Sequence, residues 1–127
     1  MKPDILDSSA LIECFDEGPN LEHFGPILAK HPGILVPAVI ITEVRKFLLR
    51  ERPKKVEAIT RSLLAAQVIP ISEEIAVSAA DLAIKNKLPL ADSLIYAATL
   101  AHKAELWTQD TDFEGLPHVH YFPKKKR

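Results

Sequence analysis

The chain has a single cysteine, Cys14, which rules out any intramolecular disulfide and gives no sign of an oxidising compartment. Glycine is scarce as well. There are four in 127 residues, and they do not form a phosphate-cradling loop. Cysteine pairs and His-x-x-His spacing, the usual marks of a zinc site, are also missing. The longest apolar run, Ile34 to Ile41, has eight residues and contains Pro37, whereas a membrane span needs about 20. The opening Met1-Lys2-Pro3-Asp4 lacks the apolar stretch of a secretory signal. The expectation is a cytoplasmic protein with no membrane segment.

An excess of charge of one sign is missing too. Against 16 Lys and Arg stand 17 Asp and Glu, a net charge of −1, which by itself argues against a nucleic-acid partner. Four of those acids, Asp7, Glu43, Asp92 and Asp110, sit within or at the edge of apolar segments, where an ionised carboxylate is costly unless something neutralises it. With these four set aside as neutralised by a metal, 13 acids remain against 16 bases and the balance turns to +3, so a phosphate-bearing partner becomes plausible.

Length and composition, 47% hydrophobic and 26% charged, fit one globular domain over residues 1–127. Such a domain buries roughly two thirds of the surface of its unfolded chain. Neither repeats nor low-complexity stretches are present. The basic tail Lys124–Arg127 is expected to be disordered and solvated, although it could contact RNA phosphates.

Short strands alternate with longer helices. Ile5-Leu6 reads as a strand, Asp7-Ser8-Ser9 as a helix start leading to Phe15, and residues 16–20 as a turn. Leu21–Lys30 reads as a helix that Gly25-Pro26 interrupts, and Ile34–Val36 as the second strand. The spacing of Val39, Ile40, Val44, Phe47 and Leu48 predicts a helix over Ala38–Arg50, with Glu43 inside its apolar stripe. A helix over Lys54–Gln67 precedes a strand, Val68–Ile71, that Pro70 pushes to a sheet edge or a bend. Ser72-Glu73-Glu74 opens a helix to Asn86. Leu90–Lys103, apolar almost all round, predicts a buried helix with Asp92 its only acid. Leu106–Thr108 and Val119–Phe122 complete the strands. Strands separated by helices imply a parallel sheet with helices on both faces, and ligands of such folds bind outside the carboxyl ends of the strands. Asp7 and Asp110 lie at those ends, and Glu43 and Asp92 could face the same edge.

Each acid also has a plainer reading. Asp7 could cap the helix that follows it, Asp92 could cap its own helix, and Asp110 could close an Asx turn. Glu43 has no capping role, and its plain alternative is an ion pair with Arg45 or Lys46. The histidines, His23, His31, His102, His118 and His120, are scattered and suit surface or loop positions. His118 and His120, two apart, could share a strand face and bind a metal. Tyr96 and Trp107 suit the core better than a base-stacking role. The run from Arg45 to Lys55 could steer a polyanion, or could be ordinary solvated charge.

Four segments resemble, in order, the motifs of the PIN domain, and within it the VapC-type toxins of bacterial and archaeal toxin–antitoxin pairs. They are Asp7-Ser8-Ser9-Ala10-Leu11-Ile12, Ile41-Thr42-Glu43-Val44, Asp92-Ser93-Leu94-Ile95-Tyr96-Ala97-Ala98 and Thr108-Gln109-Asp110-Thr111-Asp112-Phe113. The resemblance implies a three-layer α/β/α fold with a central, mainly parallel twisted sheet. It implies that Asp7, Glu43, Asp92 and Asp110 are the catalytic, metal-binding acids, with Asp112 auxiliary and Ser8 and Thr108 supporting them by hydrogen bonds. Mg²⁺ or Mn²⁺ is the implied cofactor. RNA is the implied substrate, and a VapB-like antitoxin and a second copy of the chain are the implied partners. The chemistry asks for such ligands independently, because phosphodiester hydrolysis needs an activated water and charge stabilisation that hard cations held by carboxylates can supply.

Three readings stay open on sequence grounds. They are a toxin-type endoribonuclease, a PIN-like nuclease of RNA processing, and a catalytically silent binding or receiver-like module. The receiver reading is weakened because Asp7 has no adjacent acid after its strand and no Lys marks a late strand end.

Overall fold

A computed structural model describes residues 2–126. β1 (Asp4–Leu6) leads directly into α1 (Ser8–Phe15), and α2 (Leu21–Leu28) follows before β2 (Leu35–Pro37). α3 (Ala38–Glu51) and a 3₁₀ turn over Pro53–Lys55 lead to α4 (Val56–Leu64) and β3 (Gln67–Ile69). α5 (Glu73–Asn86) and α6 (Leu90–Ala101) precede β4 (Glu105–Thr108), a 3₁₀ turn over Thr111–Phe113 and β5 (Val119–Tyr121).

The five strands form one sheet in the order β3-β2-β1-β4-β5, with every neighbouring pair parallel, as the alternation of strands and helices implied. Connections from β1 to β2 and from β2 to β3 run one way across the sheet, and the connection from β3 to β4 runs back. Right-handed crossovers of opposite direction put their helices on opposite faces, which makes the three-layer α/β/α arrangement. The reversal falls between β1 and β4, and there the carboxyl ends of the two strands open a crevice. Register brings Leu6 opposite Trp107, and the backbone N–H of Asp7 donates to the Trp107 carbonyl at 3.2 Å. Asp7 and Thr108 therefore leave the sheet side by side.

Local signals explain most element boundaries. Asp7 caps α1 by accepting from the Ala10 N–H, and Ser72 caps α5 by accepting from that of Ile75. α5 ends at Lys87 in the left-handed conformation, two residues before Pro89. α4 starts two residues later than its periodicity suggested, because Pro53 sets up the 3₁₀ turn first. Pro26 does not interrupt α2: it lies inside the helix on the exposed face, where the missing N–H leaves no buried carbonyl unpaired. β3 takes the sheet edge and stops just before Pro70, as that residue required. The core runs through Ile5, Leu11, Phe24, Ile40, Ile95, Leu106 and Phe113. Tyr96 is buried with its hydroxyl donating to the Pro117 carbonyl at 3.0 Å, and Trp107 is half-buried, stacked on His120.

The two-histidine alternative fails on geometry. His118 precedes β5 with a positive φ of 66°, outside the strand that holds His120, and among the described residues neither ring belongs to a group of three or more ligating side chains set close enough to hold an ion. Both rings meet the Glu105 carboxylate instead, at 3.0 and 3.1 Å.

Candidate functional site

The crevice at the β1–β4 reversal collects acids from four segments. Asp92, in the first turn of α6, meets Asp110 and Asp112 from the loop after β4, and one oxygen from each carboxylate lies within 4.8 Å of the other two. Among the described residues this is the one group of three or more ligating side chains so closely set. Asp112, expected as an auxiliary, belongs to the tightest part of the cluster. Asp7 and Glu43 stand beside it, near enough for the charge on Asp110 to disfavour ionisation of both.

Electrostatics record the crowding. Burial pushes the Asp92 carboxyl up to about 8, with the charge of Asp110 adding to the rise. Burial likewise lifts Asp7 to about 6, against hydrogen bonds from Thr108, Ser9 and the Ala10 N–H that favour the carboxylate. Glu43 is raised mainly by burial, the Ser8 hydrogen bond opposing. Among the described residues none of these acids has an ion pair, and a positive charge placed among them would favour their ionised forms. Close carboxylate oxygens, with no thiolate or imidazole among them, suit a hard ion such as Mg²⁺ or Mn²⁺.

The supporting hydroxyls take the expected places. Thr108 Oγ1 donates to Asp7 Oδ2 at 2.6 Å and Ser8 Oγ to Glu43 Oε1 at 3.1 Å. Ser9, not singled out in the sequence, donates to Asp7 Oδ1 at 2.7 Å and accepts from the Gln109 N–H at 3.2 Å. Its place in the Asp7-Ser8-Ser9 run was the available signal, since both hydroxyls of a helix start lie near the capping acid.

The plainer readings of two acids also hold. Asp7 is a helix cap, and Asp110 closes a turn by accepting from the Asp112 N–H at 2.9 Å. Cap and cluster are compatible because each carboxylate has two oxygens. Glu43 does not pair with its near neighbours, since Arg45 turns to Glu57 and Thr60, both at 2.9 Å.

A cleft of about 690 Å³ reaches Glu43, lined by residues of α1 and α3, Lys46 and Arg50 among them, and by Lys124 and Lys125 of the tail. The basic run after Glu43 is thus divided, with Lys46 and Arg50 at the cleft and Arg52 bonded to Asp16. Lys124 and Lys125 of the tail line the same cleft with exposed side chains, and Arg127 lies outside the described residues.

A parallel α/β domain with carboxylates gathered at the reversal of its strand order offers, at the place where such folds bind ligands, oxygen donors of the kind a divalent cation takes. The PIN domain family matches residues 5–119, and the chain belongs to that family. Solved structures agree on the fold. A toxin–antitoxin complex from Klebsiella pneumoniae contains a chain 25% identical, with a TM-score of 0.79 over 94% of this chain and 96% of that one. VapBC2 from Rickettsia felis bound to a DNA fragment from its promoter is 14% identical, with a TM-score of 0.71 and coverage of 94% and 97%. DNA-bound VapBC from Salmonella typhimurium is also 14% identical at a TM-score of 0.71, with coverage of 97% and 98%. No curated protein gives a significant match. No helix among the described residues is long and apolar enough to cross a membrane.

Proposed function

We propose that this chain is a metal-dependent endoribonuclease, a single-domain toxin of a type II toxin–antitoxin pair that hydrolyses RNA phosphodiester bonds in the cytoplasm. The observation that carries the reading is the group of Asp92, Asp110 and Asp112 with Asp7 and Glu43 beside it, a set of acids of which Asp7 and Asp92 are buried and none has an ion pair among the described residues. Membership of the PIN family supports it, as does the likeness to a chain from a toxin–antitoxin complex.

In this reading Asp7, Glu43, Asp92 and Asp110 hold Mg²⁺ or Mn²⁺, with Asp112 assisting. When bound, the ion supplies the charge that steadies the phosphoryl oxygens and helps activate water. The chain's own part is positional. Thr108 and Ser9 fix both oxygens of Asp7, and Ser8 turns Glu43 toward the cluster. Burial of Asp7 and Asp92 strengthens the charge interactions at those two carboxylates. Burial and the charge of Asp110 raise the Asp92 carboxyl to about 8, so a cation held there would compete with its proton and metal affinity would depend on pH.

A VapB-like antitoxin would silence the site by placing a basic side chain among the acids, Arg being best suited through its bidentate fork. A homodimer is supported by Val77, Ile84 and Leu90, apolar side chains of α5 and α6 that are 68%, 85% and 78% exposed.

The test is direct. The purified protein should cleave single-stranded or looped RNA with Mg²⁺ or Mn²⁺, leaving 5′-phosphate and 3′-hydroxyl ends, and cleavage that persists in excess EDTA overturns the proposal. Expression should arrest bacterial growth, and a small protein encoded beside it should relieve the arrest. A harmless but active enzyme would shift the reading to RNA processing.

A further inference from the structure

The segment after β5 is built into the fold, although its composition suggests a loose end. The Phe122 N–H donates to the Thr108 carbonyl at 2.9 Å, and the Phe122 ring stacks on His23 at 4.1 Å and meets Phe24 edge-on at 5.8 Å. One residue further, the Pro123 carbonyl accepts from Asn20 Nδ2 at 3.0 Å. The same amide nitrogen donates to Gln109 Oε1 at 2.9 Å, in the loop that carries Asp110.

Asn20 is unusual in how it does this. It is wholly buried, and its Oδ1 has no hydrogen-bond partner among the described residues. An unpaired buried acceptor costs about 1–3 kcal/mol, so an amide held this way is constrained by what its nitrogen does. A carbonyl can only accept, so Pro123 fixes which way the amide points. The residue gives up one bond to hold the tail and the metal loop together.

The consequence is electrostatic. The anchored tail sets Lys124 beside Ser9, Gln109, Asp110 and Thr111, and carries Lys125 to the cleft that Lys46 and Arg50 also line. The cleft's acids outside the cluster are already engaged: Glu13 accepts from the Asn20 N–H at 2.8 Å, and Asp16 faces Arg52 at 3.3 Å. Lys124 has no acidic partner among the described residues, and Lys125 has an exposed one, Glu22, at 3.6 Å. Cations from α3 and from the tail then line one groove that reaches Glu43, with Lys124 also beside Asp110, which is the arrangement a polyanionic strand needs to approach carboxylates that would otherwise repel it.

We infer that the tail is part of the substrate site: Lys124 and Lys125 hold phosphates of an RNA strand beside the scissile bond, in the cleft shared with Lys46 and Arg50, and Asn20 is the positioning residue that sets the tail there. The inference rests on the proposed ribonuclease reading for its choice of polyanion. Its test is separate, because binding measured in EDTA needs no cleavage.

The experiment is fluorescence anisotropy of a labelled single-stranded RNA with the full chain in EDTA, over a series of KCl concentrations. Both lysines are exposed, so Lys124→Gln/Lys125→Gln keeps the fold. Affinity should fall about ten-fold, and the slope of log affinity against log salt should lose about 1.4, near 0.7 for each phosphate contact on a single strand. Asn20→Ala should weaken binding several-fold in the wild-type background and add less than about two-fold to the double-lysine variant, as two changes on one route do. An unchanged salt slope in the double-lysine variant overturns the role of the tail. An equal loss from Asn20→Ala in both backgrounds overturns its positioning role. RNA bound as described but not cut with Mg²⁺ or Mn²⁺ would instead count against the nuclease reading and leave the tail's role standing.

Discussion

β1 has a buried acid at each end, and the two are treated oppositely. Asp4 opens the strand and Asp7 follows it, at 8% and 2% exposure. Asp4 receives Lys30 Nζ at 2.7 Å and the indole N–H of Trp107 at 2.9 Å. Its neighbour at the same sheet edge, Glu105, is held below the ordinary carboxylate range: burial pulls upward, but hydrogen bonds from His118 and His120 outweigh it. Asp7 receives only uncharged donors, and the charged group that acts on it is another acid, Asp110. The fold can evidently supply a cation to a buried carboxylate and does so at the amino edge. At the carboxyl edge none of Asp7, Glu43, Asp92, Asp110 and Asp112 has an ion pair among the described residues, and that difference is the one expected between an acid used to hold the chain together and an acid kept for a ligand.

The largest expected effect separates the two ends by activity. Asp7→Asn or Asp92→Asn should reduce RNA cleavage by at least about 10²-fold while circular dichroism stays native, since loss of a ligand removes several kcal/mol of charge stabilisation. Asn is a good helix cap, so α1 should survive the change at Asp7. Asp4→Asn should leave the rate alone and reduce stability by about 1–3 kcal/mol, through the donors it strands. Equal activity losses at both ends would abolish the distinction.

Metal should come next. Mn²⁺ at a hundred-fold excess over its Kd should stabilise the wild type by about 2.7 kcal/mol and Asp110→Asn by much less. Calorimetric melting with and without Mn²⁺ measures both, and equal shifts would remove Asp110 from the ligands.

The pH response of the metal-free protein sharpens the contrast. Asp7 and Asp92 rise from the ordinary 3.8 to about 6 and about 8, so between those limits the folded state holds protons that the unfolded chain has released. Their contribution is intact below pH 3.8 and is lost as pH climbs toward about 8. In EDTA the melting temperature should therefore decline over that window. Asp92→Asn should decline less, and parallel curves for the two proteins would contradict the assignment.

The smallest effect is the most diagnostic of repulsion. In EDTA, Asp110→Asn should melt higher than wild type, because each close pair of like charges costs on the order of 1 kcal/mol even at water-like screening. An Asp110 that only closed its turn would instead show a small loss of stability.

Much of this was legible in the residues. Asp7, Glu43, Asp92 and Asp110 stood out because an acid in an apolar stretch violates the local pattern, and the alternation of strand and helix periodicities implied both the parallel sheet and the edge at which they meet. Asp112 did not stand out, because an acid in an exposed acidic turn violates nothing. Ser9 was hidden in the same way, as one more hydroxyl at a helix start. The tail looked like a solvated end because no local feature of Pro123-Lys124-Lys125 mentions Asn20, about a hundred residues earlier in the chain.

By itself, then, the sequence determined the elements, their caps and the acids in apolar surroundings, since propensity, periodicity and capping act over one or two turns of chain. Only the tertiary structure decided which acids are neutralised. Lys30 reaches Asp4 across 26 positions and Trp107 reaches it across 103, whereas Asp7 finds no such cation among the described residues. Neutralising a buried charge requires an opposite charge within a few ångströms, and strand order and register set that distance, not position along the chain.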